Sequence, residues 1–212
     1  MKPALSRLAP WLDPRLARPP TEGRWVVVDV ETSGLNIVKD SLIAIGAIAV
    51  VDGAIVMQDS FERVLRQQAP SAGANIELHG IGGAEQMQGG DPRLVLREFL
   101  DYIGDDPLVA YHARFDEAVL ARALRQQLGI AFRHHWLDLA DVAPLAWPGR
   151  AGPGLDDWIE ALGIPMGRRH RAIVDCLAPA PLFLAVLQAR ERLGATTGRR
   201  LLRLSGGTHW LK

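Results

Sequence analysis

Trp25 to Val28 is an uninterrupted apolar run, and Asp29-Val30-Glu31-Thr32-Ser33-Gly34-Leu35 follows it. A β-branched run closed by a Thr-Ser-Gly turn predicts a buried strand. Leu42 to Val51 forms a second apolar run, and Asp52-Gly53 after it predicts a hairpin turn into Ala54-Ile55-Val56-Met57 and on to Phe61 and Val64. The expectation is an antiparallel meander. Polar, glycine-rich sequence fills Pro70 to Gly90, after which Leu94, Leu96, Phe99, Leu100 and Ile103 repeat at helical spacing until Gly104. Pro107 to Tyr111 reads as a short buried strand. It feeds a helix whose apolar positions are Phe115, Val119, Leu120, Ala123, Leu124 and Leu128, stopped at Gly129. Trp136 to Ala146 predicts another strand-to-helix passage, Gly154 to Leu162 a short helix, and about Ala172 to Leu193 a last helix.

Strands that alternate with helices after a meander predict an α/β fold, a mixed sheet flanked by helices. The 212 residues suit one domain, 25–194, between a proline-rich arm, 1–24, and a tail, 195–212. Pro3, Pro10, Pro14, Pro19 and Pro20 prevent one long helix in the arm, while Trp11 and its neighbouring leucines suggest that it packs on the domain or on a second subunit. The tail, with Gly194, Gly198, Gly206 and Gly207, reads as loosely structured.

Composition narrows the class. No stretch is long and apolar enough to span a bilayer, the N-terminus lacks the apolar core of a secretory signal, and Cys176 is the only cysteine. A soluble, cytoplasmic protein without a membrane partner is expected. The formal charge is +0, so no global positive field draws the chain to nucleic acid. Such binding must be local, and Arg168-Arg169-His170-Arg171 and the group Arg199, Arg200 and Arg203 are the candidate phosphate contacts.

The candidate chemistry is carboxylate chemistry. Asp29 and Glu31 lie two apart at a strand end, so both point to one face. Two buried carboxylates stay ionised only with something positive between them, and a hard divalent cation taking oxygen ligands is the usual partner. Sites in open α/β sheets form outside the carboxyl ends of strands, where Asp116 also falls, in the first turn of its helix. Asp175 sits among Ile173, Val174, Leu177 and Ala178, where an unpaired carboxylate would cost several kcal/mol. His170, five residues earlier, converges on it only from a loop preceding the helix, because on a continuous helix the two would diverge by about 140°. His79, before Gly80, is either a substrate contact or a turn residue. Phe115 reads from its own spacing as core.

These residues resemble the DEDDh, or DnaQ-like, 3′-5′ exonucleases. Asp29-Val30-Glu31-Thr32-Ser33-Gly34 matches that family's first motif, Tyr111-His112-Ala113-Arg114-Phe115-Asp116 its second, and His170-Arg171-Ala172-Ile173-Val174-Asp175 its third; His79-Gly80-Ile81 and Leu137-Asp138 fall between them as in the family. The resemblance runs from about Trp25 to Leu193. It implies a ribonuclease H-like fold, two Mg²⁺ or Mn²⁺ ions, and stepwise release of nucleoside 5′-monophosphates from the 3′ end of single-stranded or frayed DNA. It further implies that Asp29, Glu31, Asp116 and Asp175 are the metal ligands and that His170 takes the proton from the attacking water. Thr32, Gly34, Leu35, His112 and Phe115 would line the substrate. A DNA polymerase partner in proofreading, a stand-alone repair role and RNA trimming all fit the motifs, and a non-catalytic nucleic-acid-binding module would have lost an acid that this chain keeps. Two departures stand out. The family's second motif usually carries His-Asn where this chain has Tyr111-His112, and Pro179 and Pro181 predict a kink just after Asp175.

Overall fold

The computed structural model describes residues 14–150, 152–164 and 178–205. Its centre is a five-stranded mixed sheet ordered β3-β2-β1-β4-β5, built from β1 (Arg24–Thr32), β2 (Leu42–Val51), β3 (Ala54–Val64), β4 (Leu108–Ala110) and β5 (Trp136–Asp138). β1, β2 and β3 pair antiparallel, whereas β4 and β5 continue the sheet parallel to β1. The meander and the two parallel additions both match the expected α/β architecture. Asp52 and Gly53 take positive φ values of 50° and 76° at the β2–β3 turn, the left-handed pair that a two-residue hairpin requires.

Alternation along β1 divides the core. Val26, Val28 and Val30 face one layer, packed on α3 (Pro92–Ile103) and α4 (Ala113–Leu128) through Leu96, Phe99, Leu120 and Leu124. Trp25 and Val27 face the other, with α5 (Leu139–Ala146) and later helices supplying Val142, Phe183 and Leu202. The helix α3 begins where the sequence provides both a cap and a pre-set φ: the Asp91 side chain accepts the Arg93 and Leu94 N–H groups, and Pro92 occupies the first turn. Below the sheet, the Arg24 guanidinium bonds Asp59 and Asp106 at 2.8 Å each and lies 4.7 Å above the Tyr102 ring. The Tyr102 hydroxyl donates to the Asp59 carbonyl, so strand, irregular β3 segment and α3 are tied at one point.

Two expectations change. The stretch from Pro70 to Gly90 holds two short helices, α1 (Gly73–His79) and α2 (Gly83–Gln88). After the helix α6 (Leu155–Ala161), the next described helix, α7, runs Pro179–Gln188 with Pro179 and Pro181 at its beginning. The kink expected just after Asp175 falls at a junction with residues outside the described ones. The second correction concerns the tail. Gly198–Leu204 is a helix, α8, capped by Thr197, with Leu201 and Leu202 buried beside Leu16 of a 3₁₀ turn at Pro14–Ala17. A Cβ on Gly198 would lie 3.3 Å from the Trp25 ring. Glycine there permits close packing, so Gly198, which suggested looseness, serves contact. Trp11 lies outside the described residues.

Leu201, with no exposed surface, distinguishes a packed tail from a loose one. Leu201→Ala should cost about 2–5 kcal/mol in urea unfolding, the usual range for a buried leucine. A loose tail would give no measurable change.

Candidate active site

At its carboxyl end β1 outruns β4. Pairing between the two strands is recorded at Val26–Leu108 and Val27–Val109, and β4 ends at Ala110. The Val30 N–H, farther along, donates to Asp116 Oδ1 at 3.1 Å. Asp116 thus completes the strand's hydrogen bonding from the first turn of α4, and only 4% of it is exposed. Burial raises its pKa well above the ordinary carboxylate range, and the nearby Asp29 charge raises it further. Asp29 and Asp116 are therefore near enough for their charges to interact. Asp29 and Glu31 stand opposite Gly46 and Ala44 of β2, so the cross-strand neighbours on their face are small.

The turn into α4 explains the Tyr111-His112 departure. His112 adopts φ 62° and ψ 44°, the left-handed region, where asparagine, aspartate and histidine are tolerated better than most side chains. The side chain makes no cap bond to the helix; the support runs through the His112 N–H, which donates to Asp138 Oδ1 at 2.9 Å. Tyr111 is held separately, its hydroxyl donating to the Pro153 carbonyl at 2.7 Å. His112 is exposed at the mouth of the site, and Phe115 is half-buried against the α3/α4 core, in keeping with a packing role.

The loop from Ser33 to Ser41 is braced from several sides. Thr32 Oγ1 donates to the Gly34 carbonyl at 2.6 Å, and the Asp40 carboxylate accepts the Asn36 N–H at 2.7 Å. A Cβ on Gly34 would lie 2.5 Å from that carboxylate, so the close approach requires glycine. Arg122 of α4 donates to the Val38 and Asp40 carbonyls, and Asn75 of α1 donates to the Ser33 carbonyl. On this scaffold Leu35 is 84% and Val38 74% exposed. His79 resolves to the turn alternative: it ends α1, Gly80 takes the left-handed φ of 69°, and the Ile81 N–H donates to His79 Nδ1 at 3.1 Å. Nδ1 therefore carries no proton, and Nε2 faces Ser71 Oγ at 3.3 Å.

Oxygen donors of this kind fit a hard divalent cation. Among the described residues, no group of three or more His, Cys, Asp and Glu side chains is close enough to hold one. Of the expected ligands, Asp29 and Glu31 lie on β1 and Asp116 in the first turn of α4, without the three forming one group, while Asp175, His170 and the arginines around it lie outside the described residues. Arg199, Arg200 and Arg203 are on α8, lining a cleft of about 410 Å³ with Thr196, Thr197 and Leu204. Sequence reasoning gave no role to Asp138, Asn75 or Arg122. Asn75, Arg122 and, through the His112 N–H, Asp138 bond backbone atoms of residues distant in sequence, contacts that leave no local spacing to read. No described helix is long and apolar enough to cross a membrane.

Known proteins resemble this arrangement in sequence and in fold. The family model described as Exonuclease, RNase T, matches residues 26–183. The chain is 33% identical over 174 residues to the DNA polymerase III PolC-type protein of Bacillus subtilis, covering 82% of this chain and 12% of that protein. The corresponding protein of Halalkalibacterium halodurans is 33% identical over 178 residues, with the same coverage. The chain thus spans about 12% of the length of these relatives. Exonuclease X in complex with 5′ overhanging duplex DNA shares the fold with a TM-score of 0.65 at 22% identity, over 86% of this chain and 99% of that one. Exonuclease I of E. coli in complex with a dT13 oligonucleotide does so with a TM-score of 0.67 at 17% identity, over 82% and 43%.

His79 gives the site's support a pH dependence. Burial lowers its pKa, so the folded state favours the neutral ring while the unfolded chain takes up a proton below about 6.5. Its contribution to stability is complete above that value and is lost as the pH falls toward the lower folded pKa. As the pH falls below about 7, His79→Gln should lose less urea stability than the parent, since it removes this contribution and leaves those of the buried carboxyls unchanged. Equal declines in parent and variant would place the titration elsewhere.

Proposed function

Because the chain belongs to the RNase T exonuclease family, we propose that it is a divalent-metal-dependent 3′-5′ exonuclease releasing nucleoside 5′-monophosphates from single-stranded or frayed DNA ends. The observation that carries this reading is the Asp29–Asp116 pair beside the end of β1: Asp116, held there by the Val30 N–H, has its pKa raised by burial and further by the Asp29 charge, which a bound cation would offset. Asp29, Glu31, Asp116 and Asp175 would hold two Mg²⁺ or Mn²⁺ ions. Bound there, the ions would supply Lewis-acid stabilisation of the phosphate and a more acidic water.

The remaining chemistry belongs to the chain. His170 would take the proton from the attacking water. Thr32 and Gly34 position the backbone against the terminal nucleotide, and Leu35 presents an exposed apolar side chain to its base from the braced loop. An end already unpaired enters such a site without the few kcal/mol that unstacking costs, which favours single-stranded or frayed termini. The curated relatives are DNA polymerases, which supports a proofreading setting with a polymerase partner.

Two experiments test the reading. With 5′-labelled single-stranded DNA, Mg²⁺-dependent digestion should produce a ladder shortened from the 3′ end; Asp29→Asn should abolish it while the circular dichroism spectrum is kept, because charge is removed at little change of volume. Unchanged digestion by that variant would sink the proposal, and parallel RNA substrates report the sugar preference. For His170, single-turnover rates should rise with pH through the histidine range, and His170→Ala should lose about 10²–10⁴-fold while still binding DNA. A variant that keeps the parental rate and pH profile would remove His170 from the mechanism.

A further inference from the structure

Asp138 ends β5 and opens α5, and a single oxygen of its carboxylate serves two junctions. Oδ1 accepts the Ala140 N–H at 3.0 Å, which caps α5, and the His112 N–H at 2.9 Å, which belongs to the neighbouring passage from β4 into α4. The side chain is only 8% exposed, and burial raises its pKa. Capping alone does not call for a carboxylate, since serine caps helices about as well and is cheaper to bury. The second acceptor function is what demands a longer side chain.

The donor it reaches sits in a conformation that must be held. A non-glycine residue in the left-handed region costs about 1 kcal/mol, and His112 has no side-chain bond to its helix to offset this. From His112 the chain enters α4, and one turn later Asp116 reaches the Val30 N–H. The entry point of the helix therefore sets where the Asp116 carboxylate stands relative to Asp29. We propose that Asp138 is a positioning residue: by fixing the left-handed turn at His112 it fixes the first turn of α4, and thereby the placement of Asp116 for divalent-cation binding. It touches neither substrate nor cation. The inference rests on the reading of Asp116 as a metal ligand, and it extends that site to the β5–α5 junction.

Two substitutions separate this role from simple helix capping. Asp138→Asn retains an oxygen at the Oδ1 position and can serve both donors. Asp138→Ser retains a cap for Ala140, but its hydroxyl, one bond shorter, does not span to the His112 N–H. Mn²⁺ binding to the full chain is measured by isothermal titration calorimetry without nucleic acid, alongside metal-free thermal melting and kcat and KM on single-stranded DNA. The expected result is that Asp138→Ser melts below Asp138→Asn, because the His112 N–H loses its acceptor, that Asp138→Ser binds Mn²⁺ about 10–100-fold more weakly with a lower kcat and, at saturating Mn²⁺, an unchanged KM, and that Asp138→Asn largely restores Mn²⁺ binding and kcat. If Asp138→Ser binds Mn²⁺ with parental affinity, even while melting lower, Asp138 is a helix cap only and the inference is overturned. Equal Mn²⁺ losses in both variants overturn it as well, since the shared acceptor is then not what matters. A parent chain that neither binds Mn²⁺ nor digests DNA would instead remove the functional reading, and this inference with it.

Discussion

The hydrogen bond from the Val30 N–H to Asp116 is the constraint on which the site depends. A strand that extends past its parallel neighbour leaves backbone donors that a buried environment must satisfy. Here a carboxylate supplies the acceptor, and it comes from a helix that packs on the opposite face of the sheet from Trp25 and Val27. The same bond that completes the strand brings Asp116 up to Asp29. Backbone satisfaction and charge repulsion thus oppose each other at one atom. Loss of the bond would leave a buried donor unmet, at about 1–3 kcal/mol, so the fold retains it despite the repulsion.

That arrangement needs a sheet that does not yield. At the far end of β1, Arg24 is bonded to two carboxylates and lies over the Tyr102 ring; its pKa is raised chiefly by its bond to Asp59, and the Asp59 carboxyl is correspondingly held below its ordinary value. A half-buried, shared guanidinium binds more firmly than an isolated surface pair. It ties the base of β1 to β3 and to the end of α3, while valines on both faces fill the middle. The carboxyl end of β1 is then the part left to polar contacts, and Asp138 and Arg122 make theirs to the backbone there. A side chain bound to backbone fixes chain geometry, which tolerates changes of neighbouring side chains such as Tyr111 and His112.

Much of this was legible in the sequence because it is periodic. The runs Trp25 to Val28 and Leu42 to Val51, the Asp52-Gly53 turn and the helix from Leu94 to Ile103 follow from alternation, helical spacing and turn chemistry, and Asp29, Glu31 and Asp116 were found by their place at strand ends. What was misread depended on tertiary contact. Gly198 looked like a source of looseness, yet its missing Cβ lets α8 approach Trp25. His79 was open between two roles until its ring nitrogen was seen to accept the Ile81 N–H. Asp138 was visible as a residue but not as a support, because its partner lies 26 positions away.

Under the proposed function, charge sets an order of events. The chain has 24 basic and 24 acidic side chains, so it offers a polyanion no net attraction, and the end of β1 repels phosphate through its carboxylates. A strand can approach that edge only after the acidic charge there is neutralised. The exposed Leu35 and Val38 on their braced loop add apolar contact that does not depend on charge, and contact of that kind is indifferent to the phosphate's neighbours along the strand. Affinity for the nucleic acid is then coupled to occupancy by the cation, since each is favoured by the other's charge and the coupling between two ligands is reciprocal. Once the cation saturates its site that coupling is fully expressed, so the residues that place Asp116, remote from the substrate, act on substrate affinity only through the occupancy they help to secure.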